Sequence, residues 1–195
     1  MTTNKPVIGV LALQGAVTPH QPHIEAAGAE FRAVKTPKQF DEVDGFILPG
    51  GESTTMLKLI DRFGLWDDLA AQFKSKPVWG ICAGSILMAE KVTNPEQKSF
   101  GLMPITVQRN GYGRQIDSHH DIINGYPVSL IRAPVITDVK EGVSIVAEHQ
   151  GTPVWLRAGQ YMVTTFHPEL TLDFPSPMHK EFVEMVKAAS ARKAA

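Results

Sequence analysis

The sequence predicts a three-layer α/β fold, a mostly parallel central sheet with helices on both faces, and two observations carry that prediction. Short, continuous apolar runs bounded by Gly or Pro recur through the first half, at residues 7–13, 30–34, 46–48 and 78–79. Such runs read as strands buried on both faces, the pattern of a parallel sheet. Between them, Met56, Leu59, Ile60 and Phe63 follow the i, i+3, i+4, i+7 spacing of an amphipathic helix ending at Gly64, with further helices expected over 65–73 and 85–91. Strands alternating with helices require right-handed crossovers and place ligands beyond the carboxyl ends of the strands.

The second half changes character. Strands are expected over 130–133, 144–147, 154–157 and 161–166 with little helix between the later ones, which suggests an antiparallel extension of the same sheet. Met178, Phe182, Met185, Val186 and Ala189 mark the buried face of a C-terminal helix, and the Ala/Lys-rich tail at about 190–195 is expected to fray. Residues 94–126 are long and polar and are expected to be mostly loop, of the kind that often carries function. No repeat, linker or low-complexity stretch divides the 195 residues, so a single domain over 1–195 is expected.

Charge and cysteine content narrow the chemistry. Nineteen Lys and Arg against twenty Asp and Glu leave one net negative charge, which removes the electrostatic footprint expected for nucleic acid or an anionic membrane as main partner. Residues 1–6 are polar, the run 7–13 is too short for a signal-peptide core, and no stretch approaches the roughly 20 apolar residues of a membrane span, so a cytoplasmic protein is expected. A lone cysteine can form neither an internal disulfide nor a thiolate metal cluster, and is either packing or chemistry.

That residue, Cys82, sits in the stretch Gly-Ile-Cys-Ala-Gly at 80–84, between a short apolar strand and a helix-like segment. The pattern is Gly-x-nucleophile-x-Gly, a nucleophile elbow with sulfur in place of a serine oxygen. A sharp strand-to-helix turn presses the residues two before and two after the nucleophile against backbone, where Gly fits. It sets the thiol at a helix N-terminus, which favours a thiolate, and frees the amide of Ala83 to meet an oxyanion. The alternative is a small buried apolar residue, as most free cysteines are.

A thiolate nucleophile needs a base, and of seven histidines only His167 closes a credible strand. Pro168 should hold His167 extended, so that His167 and Glu169, two apart, face the same side. The carboxylate then fixes the tautomer and stabilises the charged imidazole, unless the His-Pro-Glu stretch is only a surface turn. A third feature is the Gly50-Gly51 turn before Glu52 and Ser53. Gly51 is placed to offer a backbone amide to an oxyanion and Ser53 to cap the following helix, and a plain tight turn with its cap is the competing reading.

Taken in order, VIGVLALQGA (7–16), PGGESTTM (49–56), GICAG (80–84), RNGYGRQ (109–115), IRAP (131–134) and FHPELT (166–171) resemble the glutaminase subunits of two-component pyridoxal 5′-phosphate synthases, a branch of the class I glutamine amidotransferases. The resemblance implies a flavodoxin-like three-layer architecture that hydrolyses L-glutamine to glutamate and ammonia. The ammonia passes to a partner synthase barrel subunit in a large hetero-oligomer. By the same resemblance Cys82, His167 and Glu169 match the catalytic triad, and Gly51, Glu52, Ser53, Arg109, Ile131 and Arg132 match glutamine contacts. Gln14 matches a position near the oxyanion site and the partner interface. No metal or cofactor is implied, since pyridoxal 5′-phosphate is the product of the complex. Arg109 and Arg132 would each suit the substrate α-carboxylate, or serve as surface ion-pair residues. One departure stands out: His119 and His120 occupy places where an aromatic and an acidic residue are expected. With His20 and His23 they raise the question of a metal, but they make a weak ligand set and read as solvated or interface histidines. Two rivals are a glutaminase of another pathway and a non-catalytic subunit that regulates its partner.

Overall fold

The computed structural model describes residues 5–110 and 119–194. In chain order the elements are β1 (Val7–Leu11), α1 (His20–Ala26), β2 (Glu30–Val34), α2 (Pro37–Asp41), β3 (Gly45–Leu48), α3 (Ser53–Arg62), α4 (Trp66–Ser75), β4 (Val78–Ile81) and α5 (Ala83–Met88). There follow β5 (Ala89–Thr93), β6 (Met103–Gln108), β7 (His119–Ile123), β8 (Tyr126–Leu130), β9 (Val135–Val139), β10 (Ser144–His149), β11 (Thr152–Ala158) and β12 (Tyr161–Thr164). A 3-10 turn (Pro168–Leu170) and α6 (Pro177–Ala194) complete the chain.

Seven strands form one sheet in the order β10-β11-β12-β4-β3-β1-β2. The five from β12 to β2 are mutually parallel, whereas β11 runs antiparallel to both β12 and β10. The expected antiparallel extension is therefore the β10–β11 edge. Alternation along the strands divides the core into two layers: Phe46, Leu48 and Val78 face one side with Phe40, Met56, Ile60, Leu69 and Phe73. Ile8, Val10, Ile47, Trp79 and Ile81 face the other with Ile24, Phe182 and Val186 of α1 and α6. Each such side chain, fully removed from water, contributes about 1.5–3 kcal/mol. All five residues expected on the buried face of the last helix are buried, and α6 continues through Ala194, over most of the segment expected to fray.

Several expectations are corrected. β2 is not buried on both faces: it is the sheet edge, and of its residues only Val34 is buried. Phe63 lies at the C-terminal cap of α3, past the last helical turn, and is 60% exposed. The helix expected over 85–91 stops at Met88, because the chain from Ala89 pairs in parallel with β6. That partner lies in the stretch expected to be loop, where Met103, Ile105 and Val107 alternate inward, and β6 also pairs with β9 to make a separate three-stranded sheet. The strand expected at 130–133 sits earlier, as β8. Asn124 and Gly125 both have positive φ, the signature of a two-residue hairpin turn that fixes the β7–β8 register from Ile123 and Tyr126. Helices α1 and α2 had not been expected.

Candidate active site

β4 delivers Cys82 beyond its carboxyl end, as the parallel sheet requires. Its backbone stands at φ 49°, ψ −103°, a left-handed conformation that costs a non-glycine residue about 1–3 kcal/mol. Neighbouring bonds hold it there. The Cys82 N–H donates to the Thr164 carbonyl at 2.8 Å, and the Cys82 carbonyl accepts from the Ser85 amide and from Ser85 Oγ at 2.6 Å. The elbow glycines are explained by contact: a Cβ on Gly80 would lie 2.5 Å from the Gly84 carbonyl oxygen, and one on Gly84 would lie 2.0 Å from that of Leu48.

β12 ends at Thr164 and carries His167 toward the same end of the sheet. His167 does not hold Glu169 through extended chain, as its Pro168 neighbour suggested; the backbone at φ −109°, ψ 89° leads into the 3-10 turn of Pro168–Leu170. That turn brings Glu169 Oε1 to 2.7 Å from His167 Nδ1. A carboxylate only accepts, so Nδ1 carries a proton and Nε2 is the nitrogen left for the thiol. Burial disfavours charge on His167, but hydrogen bonds with Cys82 and Glu169 and the charges of both outweigh it and hold the imidazole pKa up at about 10. Glu169 shows the complement: burial pushes its carboxyl up, while the His167 hydrogen bond and the interactions with His20 and His167 pull it below the ordinary value. Ser129, for which the sequence carried no signal, anchors His167 by backbone bonds in both directions. Gly50 packs flat on the imidazole, where a Cβ would lie 2.2 Å from Cε1.

A pocket of about 120 Å³ opens at Cys82, the scale of a small polar ligand rather than of a drug-sized one at about 300–1,000 Å³. Gly51, Glu52 and Ser53 line one side of it, and Ala83, Arg109 and Arg132 are also in its wall. Ile86, Asn110 and Pro134 line it too; Asn110 and Pro134 belong to the RNGYGRQ and IRAP stretches without having been singled out as contacts, and Ile86 carried no sequence signal. Ile131, expected as a contact, is not in the wall. It precedes Arg132, whose φ of 44° turns the chain there.

The loop before α3 differs from expectation in one respect. Glu52, not Ser53, is the N-cap: its carboxylate accepts from the Thr54 and Thr55 amides at 3.2 and 2.7 Å and from Thr55 Oγ1. Burial pushes the Glu52 carboxyl up, yet these bonds outweigh it and hold it below its ordinary value. Ser53 Oγ instead donates to Gln97 Oε1. Gln14 Oε1 accepts from the Glu52 amide at 2.9 Å and the Gly50 carbonyl accepts from Ala16, so the loop after β1 clasps the Gly50–Gly51 turn at two points. Because a peptide is planar and trans, fixing the Gly50 carbonyl toward Ala16 turns the Gly51 N–H the opposite way. Arg109 donates to Thr54 Oγ1 at 2.7 Å and pairs with Glu52 at 3.4 Å.

His20 and His23 are not solvated: both are fully buried on α1, against His179 of α6. Among the described residues no group of three or more His, Cys, Asp and Glu is arranged to hold a metal ion. His120 lies 3.1 Å from Ser129 Oγ. Residues 111–115 of the RNGYGRQ stretch lie outside the described residues. No described helix is long and apolar enough to cross a membrane.

Residues 10–188 match the model of the SNO glutamine amidotransferase family. The pyridoxal 5′-phosphate synthase subunit PdxT of Solibacter usitatus is 47% identical over 178 residues, covering 85% of this chain and 93% of the relative. That of Bacillus cytotoxicus is 44% identical over 193 residues, covering 95% and 97%. Among solved structures, a glutamine amidotransferase superposes with a TM-score of 0.83 at 35% identity, covering 92% of this chain and 98% of the other. A chain of the PurLQS structure from Thermotoga maritima, with a TM-score of 0.60 at 16% identity over 98% of this chain and 100% of the other, shares the fold alone.

Proposed function

The chain belongs to the SNO glutamine amidotransferase family, and from that premise we propose that it hydrolyses L-glutamine to L-glutamate and ammonia through Cys82, His167 and Glu169. The ammonia goes to the synthase barrel subunit of a pyridoxal 5′-phosphate synthase. The observation that carries the mechanism is the pairing of a buried His167–Glu169 ion pair with a cysteine at a strained elbow opening on the pocket.

With its pKa held up at about 10, His167 takes the thiol proton and stands as an imidazolium beside the thiolate. The thiolate attacks the side-chain amide carbon, and the carbonyl π-electrons move to oxygen, which the Gly51 and Ala83 amides receive. His167 Nε2 gives its proton to the departing nitrogen, and ammonia leaves a thioester. Neutral His167 then takes a proton from water, whose hydroxide adds to the thioester carbon; collapse releases glutamate and returns the thiolate–imidazolium pair. Glu169 keeps the imidazole oriented throughout and stabilises its charge. Arg109 and Arg132 supply two guanidinium groups for the α-carboxylate, with Arg109 set in place by Thr54 and Glu52. Each step is covered by thiol, imidazole and backbone amides, so the chain uses no cofactor of its own.

The partner is a synthase subunit in a large hetero-oligomer, and the complex works in the cytoplasm. The isolated chain turns over slowly, because premature hydrolysis would waste ammonia. The Gln14–Glu52 and Ala16–Gly50 bonds hold the turn that docking must set for catalysis. The test is ammonia release from glutamine, with and without the synthase barrel, for the wild type and Cys82→Ala. Release is expected to depend on both partner and thiol, and Cys82→Ala to lose at least about 10^4-fold in kcat. Cys82-independent release, or equal turnover with and without the partner, sinks the proposal; pyridoxal 5′-phosphate formation in the full mixture separates it from other amidotransferases.

A further inference from the structure

Beside the pocket, Gln97 touches the first turn of α3 and has no part in the mechanism so far. It lies between β5 and β6, in a stretch clipped to the core on both sides of it. Ahead of it, Asn110 Nδ2 donates to the Asn94 carbonyl at 3.1 Å and the Arg109 amide to the Thr93 carbonyl at 3.0 Å. After it, Lys98 Nζ stands 3.5 Å over the Trp66 ring and Phe100 stacks on the same ring at 4.1 Å. Ser99 Oγ donates to the Ala89 carbonyl, and the Phe100 amide donates to that of Leu87, both at 2.7 Å. Gln97 is thus presented from anchored backbone. Its Oε1 accepts from Ser53 Oγ at 3.0 Å and from Thr54 Oγ1 at 3.4 Å. Among the described residues Gln97 Nε2 is buried without a partner, so the side chain is held here by its oxygen. Thr54 Oγ1 in turn accepts from Arg109 at 2.7 Å, and Ser53 and Arg109 both line the pocket.

A hydroxyl carries one proton and two lone pairs, and a guanidinium only donates. Thr54 therefore serves Arg109 only while its own proton points elsewhere, and Gln97 Oε1 is the acceptor that takes it. The buried Ser53, bonded to the same oxygen, fixes where that acceptor sits. Giving its proton away also polarises the Thr54 oxygen and strengthens the bond from Arg109. The second anchor of Arg109 is weaker: Glu52 is half exposed and 3.4 Å away, where water screens the pair. We propose that Gln97 is a positioning residue for glutamine binding: through the Thr54 hydroxyl it seats the Arg109 guanidinium for the substrate α-carboxylate before substrate arrives. This rests on the glutaminase reading above.

Gln97→Met keeps the length of the side chain and removes the acceptor. In the complex with the synthase barrel, KM for glutamine is expected to rise about three- to tenfold, the cost of ordering one long side chain during binding instead of beforehand, with kcat unchanged. Gln97→Glu keeps an oxygen that accepts from both hydroxyls and should hold KM within about twofold of the wild type. In a Thr54→Val background, where no hydroxyl is left to orient, Gln97→Met should raise KM no further. An unchanged KM or a fall in kcat in Gln97→Met, equal rises in the Met and Glu variants, or effects that add fully to Thr54→Val overturn the proposal. The full chain labelled with 15N in arginine gives a readout free of turnover. Gln97→Met should speed hydrogen exchange at the Arg109 guanidinium, whose signal is identified by its loss in Arg109→Lys, and unchanged exchange overturns the proposal whatever the kinetics. A wild type that releases no ammonia refutes the glutaminase reading instead, while the Arg109 exchange still decides whether Gln97 seats the guanidinium.

Discussion

The Cys82 carbonyl is closed by Ser85 and Ile86, three and four residues away, with one distant bond from its amide to Thr164, whereas His167 and Glu169 rest on groups drawn from widely separated parts of the chain. Ser129 fixes the His167 backbone, and the buried His20–His179 hydrogen bond joins positions 159 residues apart. The nucleophile side stores local strain that a few glycines permit. The base side stores burial, an ion pair and neutral imidazoles held away from water. Where strain is local, a short motif announces the site; where the site depends on desolvated charges, its supports lie scattered in sequence and meet only in the fold.

The comparison can be broken first at Glu169. If the base side works through charge, Glu169→Gln keeps the shape and removes the charge and the tautomer control, and kcat should fall about 10^3–10^4-fold with KM little changed. Steady-state kinetics of the complex check this, and a drop below tenfold would mean that the carboxylate acts by packing alone.

Acid unfolding comes next. Burial pushes His20 down to about 4 and His179 well below its ordinary value, so both are neutral in the folded chain, whereas in the unfolded chain they take up protons below about 6.5. Their contribution to stability is full above 6.5 and is lost as pH falls toward 4, on the order of 3 kcal/mol for His20 alone. His167 has the opposite sign: with its folded value raised to about 10, its contribution is full below 6.5 and is lost as pH rises through 10. Urea unfolding of the wild type at pH 7 and pH 5 should show the loss, and His179→Phe should flatten it; a stability independent of pH over that range contradicts the neutral-imidazole account.

The smallest effect belongs to the nucleophile side. Glu52→Ala removes the cap of α3 and should cost about 0.5–2 kcal/mol in urea unfolding. It also frees Arg109 from its ion pair, so KM for glutamine should rise by a few-fold with kcat held. A fall in kcat with constant KM would place Glu52 in the chemistry rather than in the binding loop.

The sequence itself determined the parallel α/β core, the last helix face, the elbow at Cys82 and the His167–Glu169 pair, because each is written in residues close enough to share one local geometry. Period-two and period-3.6 patterns need no distant partner to be read. Even there the tertiary structure changed the means: Glu169 reaches His167 through a 3-10 turn, and Glu52 rather than Ser53 caps α3. Only the folded chain decided the rest. β6 hid in a polar stretch because its strand is made by pairing with β5 and β9, and the hairpin turn at Asn124-Gly125 set a register that the apolar run at 130–133 misplaced. His20 and His23 read in sequence as solvated or interface histidines. The packing of α1 on α6 removes them and His179 from water, and burial among hydrogen-bond partners more than a hundred residues away pushes all three imidazoles toward the neutral form.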